Sequence, residues 1–187
     1  MRSRRALVGM ALLAAGLLAA GATVGVTAAA DGDRDGPRVI TVQLSGYQED
    51  PNALSTTGTG KFRARIDEGK GTIGYTLTYA SLEGTVSQAH IHLGGRAQSG
   101  GISVFLCSNL GNGPAGTQAC PPAPARVTGT IRAADVIGPA AQGIAAGEFA
   151  ELLAAIRVDT TYVNVHSTLY PGGEIRSQLE SAGHHHR

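Results

Sequence analysis

From Arg38 to Leu179 the chain alternates between apolar and polar positions in short runs, separated by segments rich in Gly, Pro and charge. Ile40, Val42 and Leu44 alternate with Thr41, Gln43 and Ser45. Successive side chains of an extended backbone point to opposite sides, so this spacing predicts a strand with one buried face. Phe62, Ala64 and Ile66 alternate with Lys61, Arg63 and Arg65, and the pattern resumes at Ile73, Tyr75, Leu77 and Tyr79. The intervening Asp67-Glu68-Gly69-Lys70-Gly71 is a short turn, so the two runs predict an antiparallel hairpin. Residues 46–57 are predicted as a loop. Further strands are predicted over 86–93, 101–107, 126–132, 159–167 and 174–180. The last two are joined by Tyr170-Pro171-Gly172-Gly173, where Pro fixes one φ and Gly permits a positive one. One stretch has another period. Over 146–158, Phe149, Leu152, Leu153 and Ile156 fall on one face of a helix, with Glu148 and Glu151 early and Arg157 late, as the helix dipole favours. About eight short antiparallel strands with one short amphipathic helix predict an all-β fold, a Greek-key β-sandwich whose open end the helix covers.

The N-terminal residues concern compartment rather than fold. Arg2, Arg4 and Arg5 form a basic head, Ala6 to Ala30 carries no charge, and Ala28-Ala29-Ala30 precedes Asp31. Basic head, apolar middle and small-residue exit are the parts of a secretory signal, so residues 1–30 are expected to be a signal peptide. Left uncleaved, the same run is long enough to anchor the chain in a bilayer. Arg4-Arg5 also fits a twin-arginine export signal, which leaves the transport route open. Residues 31–37 read as a flexible lead-in and residues 181–187, with His184, His185 and His186, as a disordered tail. The full chain has 15 Lys+Arg and 14 Asp+Glu; without residues 1–30 it has 12 against 14, a net charge of −2. That balance, with scattered basic residues, gives no electrostatic footprint for nucleic acid. Cys107 and Cys120 are expected to pair outside the cytoplasm, closing a loop whose constraint is worth roughly 3 kcal/mol.

Several segments, in order, resemble a known family. Leu44-Ser45-Gly46-Tyr47-Gln48-Glu49, Gly58-Thr59-Gly60, Ala89-His90-Ile91-His92, Tyr162-Val163-Asn164-Val165-His166-Ser167 and Pro171-Gly172-Gly173-Glu174-Ile175-Arg176-Ser177-Gln178-Leu179 are similar to the motifs of the CHRD (chordin-type) domain. On that resemblance, residues 38–180 form one CHRD domain. The loop after the first motif departs from the family's paired prolines, reading Asp50-Pro51-Asn52-Ala53, and a cysteine loop is found in some members only. The resemblance implies an extracellular setting; in animals the domain occurs in proteins that antagonise bone morphogenetic proteins.

The residues themselves suggest one specific chemistry. His90 and His92 share a strand face opposite Ala89, Ile91 and Leu93, and His166 shares a face with Tyr162 and Asn164 opposite Val163 and Val165. A His-x-His pair with a third strand histidine is a metal-ligand set with an open position. The spacing is similar to the copper site of copper–zinc superoxide dismutase, and by that analogy Arg176 would attract an anion. The histidine-rich loop that would hold zinc there is missing between His92 and His166, so a full dismutase site is not expected. The same histidines also suit a structural role, hydrogen-bonding Asn164, Ser167, Glu174 or backbone. Glu174 and Arg176, two apart on the last strand, are expected to form a structural ion pair. No Gly-x-Ser-x-Gly elbow and no Walker-type phosphate loop occurs, and no catalytic residue is nominated.

Two readings follow. In the first the chain is a secreted or cell-surface interaction or structural module without enzymatic activity. It presents loops 46–57, 94–100 and 107–124 to an extracellular protein or surface ligand, binds no cofactor, and touches a membrane only through an uncleaved signal segment. In the second it is a copper- or zinc-binding or redox protein using His90, His92 and His166. The imidazole distances discriminate them: ring nitrogens within about 4 Å of one another would favour a metal, and separation beyond roughly 8 Å would eliminate it, since ligand bonds are near 2 Å.

Overall fold

The structure is a computed structural model and describes residues 37–180. The expected signal peptide, most of the lead-in and the tail lie outside the described residues. Eight strands form: β1 Arg38–Ser45, β2 Thr59–Asp67, β3 Thr72–Ala80, β4 Val86–Leu93, β5 Ile102–Ser108, β6 Ala125–Ile131, β7 Thr161–Ser167 and β8 Ile175–Gln178. A 3-10 turn, Gly46–Gln48, follows β1, and helix α1, Phe149–Arg157, precedes β7. No helix among the described residues is long and apolar enough to cross a membrane.

The strands are ordered β5-β4-β7-β8-β1-β2-β3-β6, and neighbours are antiparallel. The continuity is weakest at its centre. β1 and β8 share one bridge, Ser45 against Arg176, whereas β1 and β2 pair along their whole length. The sheet is therefore two four-stranded leaves, β5-β4-β7-β8 and β1-β2-β3-β6, joined at one corner and closed over a common core. This is the predicted sandwich, with chain crossings between leaves after β3, β5 and β6.

Alternation explains the core. In β3 every second residue, Ile73, Tyr75, Leu77 and Tyr79, is buried, and their partners Phe62, Ala64 and Ile66 on β2 and Val127 and Ile131 on β6 are buried with them. From the other leaf come Ala89, Ile91, Val104, Leu106, Val163, Val165 and Ile175. Burying such a side chain contributes roughly 1.5–3 kcal/mol relative to exposure. α1 adds Leu152, Leu153 and Ile156 to the same core, as its period predicted. Arg157 then reaches Glu68 in the β2–β3 turn at 2.6 Å.

The far edges of the leaves, β5 and β6, leave a seam. Tyr75 donates its hydroxyl proton to the Leu106 carbonyl at 3.0 Å, and the Gln118 amide reaches Leu106 O and Thr128 O, both at 3.1 Å. Gln118 lies in the loop closed by the Cys107–Cys120 disulfide, as expected from the sequence. The bridge holds this plug over two otherwise unpaired strand edges. Cys107→Ser/Cys120→Ser should lower unfolding free energy by roughly 3 kcal/mol. Urea unfolding checks this; an unchanged midpoint would mean that the plug holds without its bridge.

Candidate metal centre

The outer face of the β4-β7-β8 leaf carries the histidines. Register places His90 opposite Asn164, which is opposite Arg176, and His92 opposite Tyr162, which is opposite Gln178. His166 faces Gln88. The β4–β5 pairing is irregular on both sides of His90, between Ala89 and His90 and again between Ile91 and His92. Such bulges re-aim side chains, and here the Phe105 ring of β5 meets His90 edge-on at 4.4 Å.

This face is opposite the aliphatic core, as predicted, yet it is also buried: His90, His92 and His166 are 0%, 7% and 6% exposed. The cover is the segment 94–101. Gly100 supplies its carbonyl to His92 and its N–H to the Tyr162 hydroxyl at 3.1 Å. A side chain at Gly100 would start 1.6 Å from the Leu93 carbonyl, so only Gly lets the loop lie this close. Arg176 donates from Nη2 to the carbonyls of Gly95 at 2.7 Å and Gln98 at 3.0 Å, and Gln178 donates to Gly94 O at 2.9 Å.

Hydrogen bonds define the three tautomers. His166 Nδ1 lies 3.0 Å from the Pro171 carbonyl, and His92 Nδ1 lies 2.9 Å from the Gly100 carbonyl. A carbonyl oxygen only accepts, so both Nδ1 atoms carry the proton and both Nε2 atoms present lone pairs. His166 Nε2 therefore accepts from His90 Nδ1–H at 3.1 Å, which leaves the lone pair of His90 on its Nε2. His92 Nε2, His90 Nε2 and Asn164 Oδ1 are buried without a hydrogen-bond partner. One ring nitrogen from each histidine lies within 4.8 Å of the other two.

Electrostatics keeps these rings neutral. Burial, reinforced by the neighbouring imidazoles, pushes His90 down to about 2. Burial also pushes His166 down to about 4, against the upward pull of its bond to Pro171. His92 is lowered chiefly by burial and further by Arg176. Arg176 acts through a stack: its guanidinium carbon sits 3.5 Å from the Tyr162 ring centre, and the Tyr162 ring lies parallel to His92 at 4.8 Å. Glu49, from the loop after β1, joins this region; its side chain lies against Gly173, and burial, opposed by Arg176, raises its carboxyl to about 8.

Glu174 and Arg176 do not form the ion pair expected of them. Both are buried, and each is hydrogen-bonded elsewhere. The Glu174 carboxylate accepts from the Thr56 hydroxyl at 2.8 Å, the Glu83 N–H at 2.7 Å and the Gly84 N–H at 3.4 Å. It pins two loops together, whereas Arg176 pins the cover of the histidines. Backbone groups outcompete the neighbouring side chain because a buried polar backbone must be satisfied. The roles of Tyr162, Glu49 and segment 94–101 were missed from sequence. The parity of Tyr162 with His166 was a usable signal; carbonyl acceptors such as that of Gly100 leave none.

Fold and disulfide together define a two-leaved β-sandwich module with a buried polar face. The family model of the CHRD domain matches residues 40–179, and the chain belongs to that family. No curated protein and no solved structure matches it.

Proposed function

We propose that this is an exported CHRD-domain protein that binds one copper or zinc ion through His90, His92 and His166. The observation that carries the reading is that one ring nitrogen from each of three buried, neutral imidazoles lies within 4.8 Å of the other two, between the distances that would favour and eliminate a metal. Two lone pairs are already oriented by carbonyls behind them, the arrangement that outer partners impose on metal-ligating histidines. Imidazole donors suit both metals. A purely structural set of histidines would be expected to leave fewer buried ring nitrogens bare. When bound, copper would supply one-electron chemistry and zinc a fixed Lewis acid; the chain's own residues hold, orient and shield the ion.

The reading orders the two sequence-based alternatives anew. The loops 46–57, 94–100 and 107–124, which a docking module would present, make internal hydrogen bonds to the histidine face, to Glu174 and to the β5–β6 seam. Export is supported by the N-terminal pattern and by the disulfide.

The test is metal analysis of the secreted chain ended at residue 180, beside His90→Ala/His92→Ala. About one copper or zinc per wild-type chain is expected. Outer-partner changes alone cost 10–100-fold in affinity, so the double variant should lose more than about hundredfold by chelator competition. Equal metal content in the two proteins would end the proposal.

A further inference from the structure

The outer face of the other leaf carries a different chemistry. Lys61, Arg63 and Arg65 project from alternate positions of β2, all exposed, while Phe62, Ala64 and Ile66 point inward. Alternate residues of a strand stand about 7 Å apart. Two strands away, about 10 Å across the sheet, Arg126 of β6 faces the same side, because it pairs with Thr78, which pairs with Lys61. Thr76 and Thr128 fill the row beside Arg63. The face thus offers four cations with hydroxyls between them. Asp67, at the end of β2, is engaged by Lys70 at 2.7 Å and also feels the charge of Arg65. Among the described residues, no carboxylate forms an ion pair with Lys61, Arg63, Arg65 or Arg126.

This concentration is not a property of the whole chain, whose formal charge is near zero. It is local, regular and on the leaf remote from the histidines. We propose that this face binds a linear polyanionic polysaccharide outside the cell. Charge complementarity names a polyanion. The aromatic residues of these strands, Phe62, Tyr75 and Tyr79, are in the core, so the face has no ring on which a nucleic acid base can stack. It also lacks the cluster of large apolar side chains that an interfacial membrane contact buries. Hydroxyls between evenly spaced cations suit the sulfate or carboxylate groups of a sugar chain, with no preference for a base or a lipid tail.

The test uses dextran sulfate as probe and neutral dextran as control, with the secreted chain, at low and rising salt. Lys61→Gln/Arg63→Gln should weaken dextran sulfate binding at least about tenfold and lower the slope of log affinity against log salt by about two, as expected when two counterion-releasing contacts go. Lys61→Arg/Arg63→Lys keeps the charge at the same two positions and should change affinity less than about twofold. Both side chains are exposed, so circular dichroism and melting should match wild type for both double variants and keep the comparison valid. The proposal is overturned if wild type does not bind dextran sulfate, if both double variants lose affinity alike, or if phosphatidylglycerol vesicles or single-stranded DNA bind more tightly than dextran sulfate. Metal content should not move with either variant, so this test and the histidine test fail independently.

Discussion

Glu174→Ala should lower the unfolding free energy by about 3–5 kcal/mol, with Glu174→Gln losing roughly half as much. The carboxylate is fully buried and accepts from Thr56, Glu83 N and Gly84 N. Removing it leaves those donors unpaired inside the protein, and each unsatisfied group costs about 1–3 kcal/mol. The site cannot relax easily. A Cβ at Gly58 would stand 2.9 Å from Glu174 Oε1, so β2 starts hard against this side chain. Gln retains the shape and one acceptor but turns an NH2 toward groups that also donate. Urea denaturation of the three proteins at pH 7 measures the effect. A loss under about 1 kcal/mol for the Ala variant would show that water, not Glu174, satisfies the two loops.

The second large effect is with pH. His90 and His166 are held at about 2 and about 4 in the folded domain, while an unfolded histidine titrates near 6.5. Above pH ~6.5 both states are neutral and the shift contributes nothing. As pH falls below that, the unfolded chain takes up protons that the folded one refuses, so stability declines with pH. For His166 the loss is about 3 kcal/mol by pH 4, and His90 adds a loss of the same order. Together they are a large share of the stability of an ordinary domain, so the metal-free protein should lose stability as pH falls from about 6.5 to 4, net of the opposing contribution of Glu49. His166→Gln removes one of the two contributions and should flatten the slope over this range. Copper or zinc, competing with protons for the same lone pairs, should move the acid midpoint lower. Glu49 acts in the opposite sense. Its carboxyl is raised to about 8, so it favours folding at low pH and that contribution fades as pH rises from about 4.5 through 8. Unfolding free energies at intervals from pH 8.5 to 4 test both limbs; identical acid limbs for wild type and His166→Gln would remove the histidines from the explanation.

Much of this was legible in the sequence, for a local reason. Alternation at a period of two is enforced by the pleat, so the apolar members of β1, β2, β3 and β6 announced both the strands and their buried side. The same rule placed His90, His92 and His166 opposite the aliphatic residues, and two cysteines in a chain expected to be exported predicted their own bridge. It could not say that β7, with its alternating Thr-Tyr-Val-Asn-Val-His-Ser, is buried on both sides. That outcome depends on β4 and β7 being neighbours across a long stretch of chain, and on segment 94–101 folding back over their polar face. Packing of distant segments decided it, and with it the imidazole tautomers, the separate partners of Glu174 and Arg176, and the nearness of the three rings. Side-chain spacing carries parity along one strand; it holds no record of which carbonyl will lie above it.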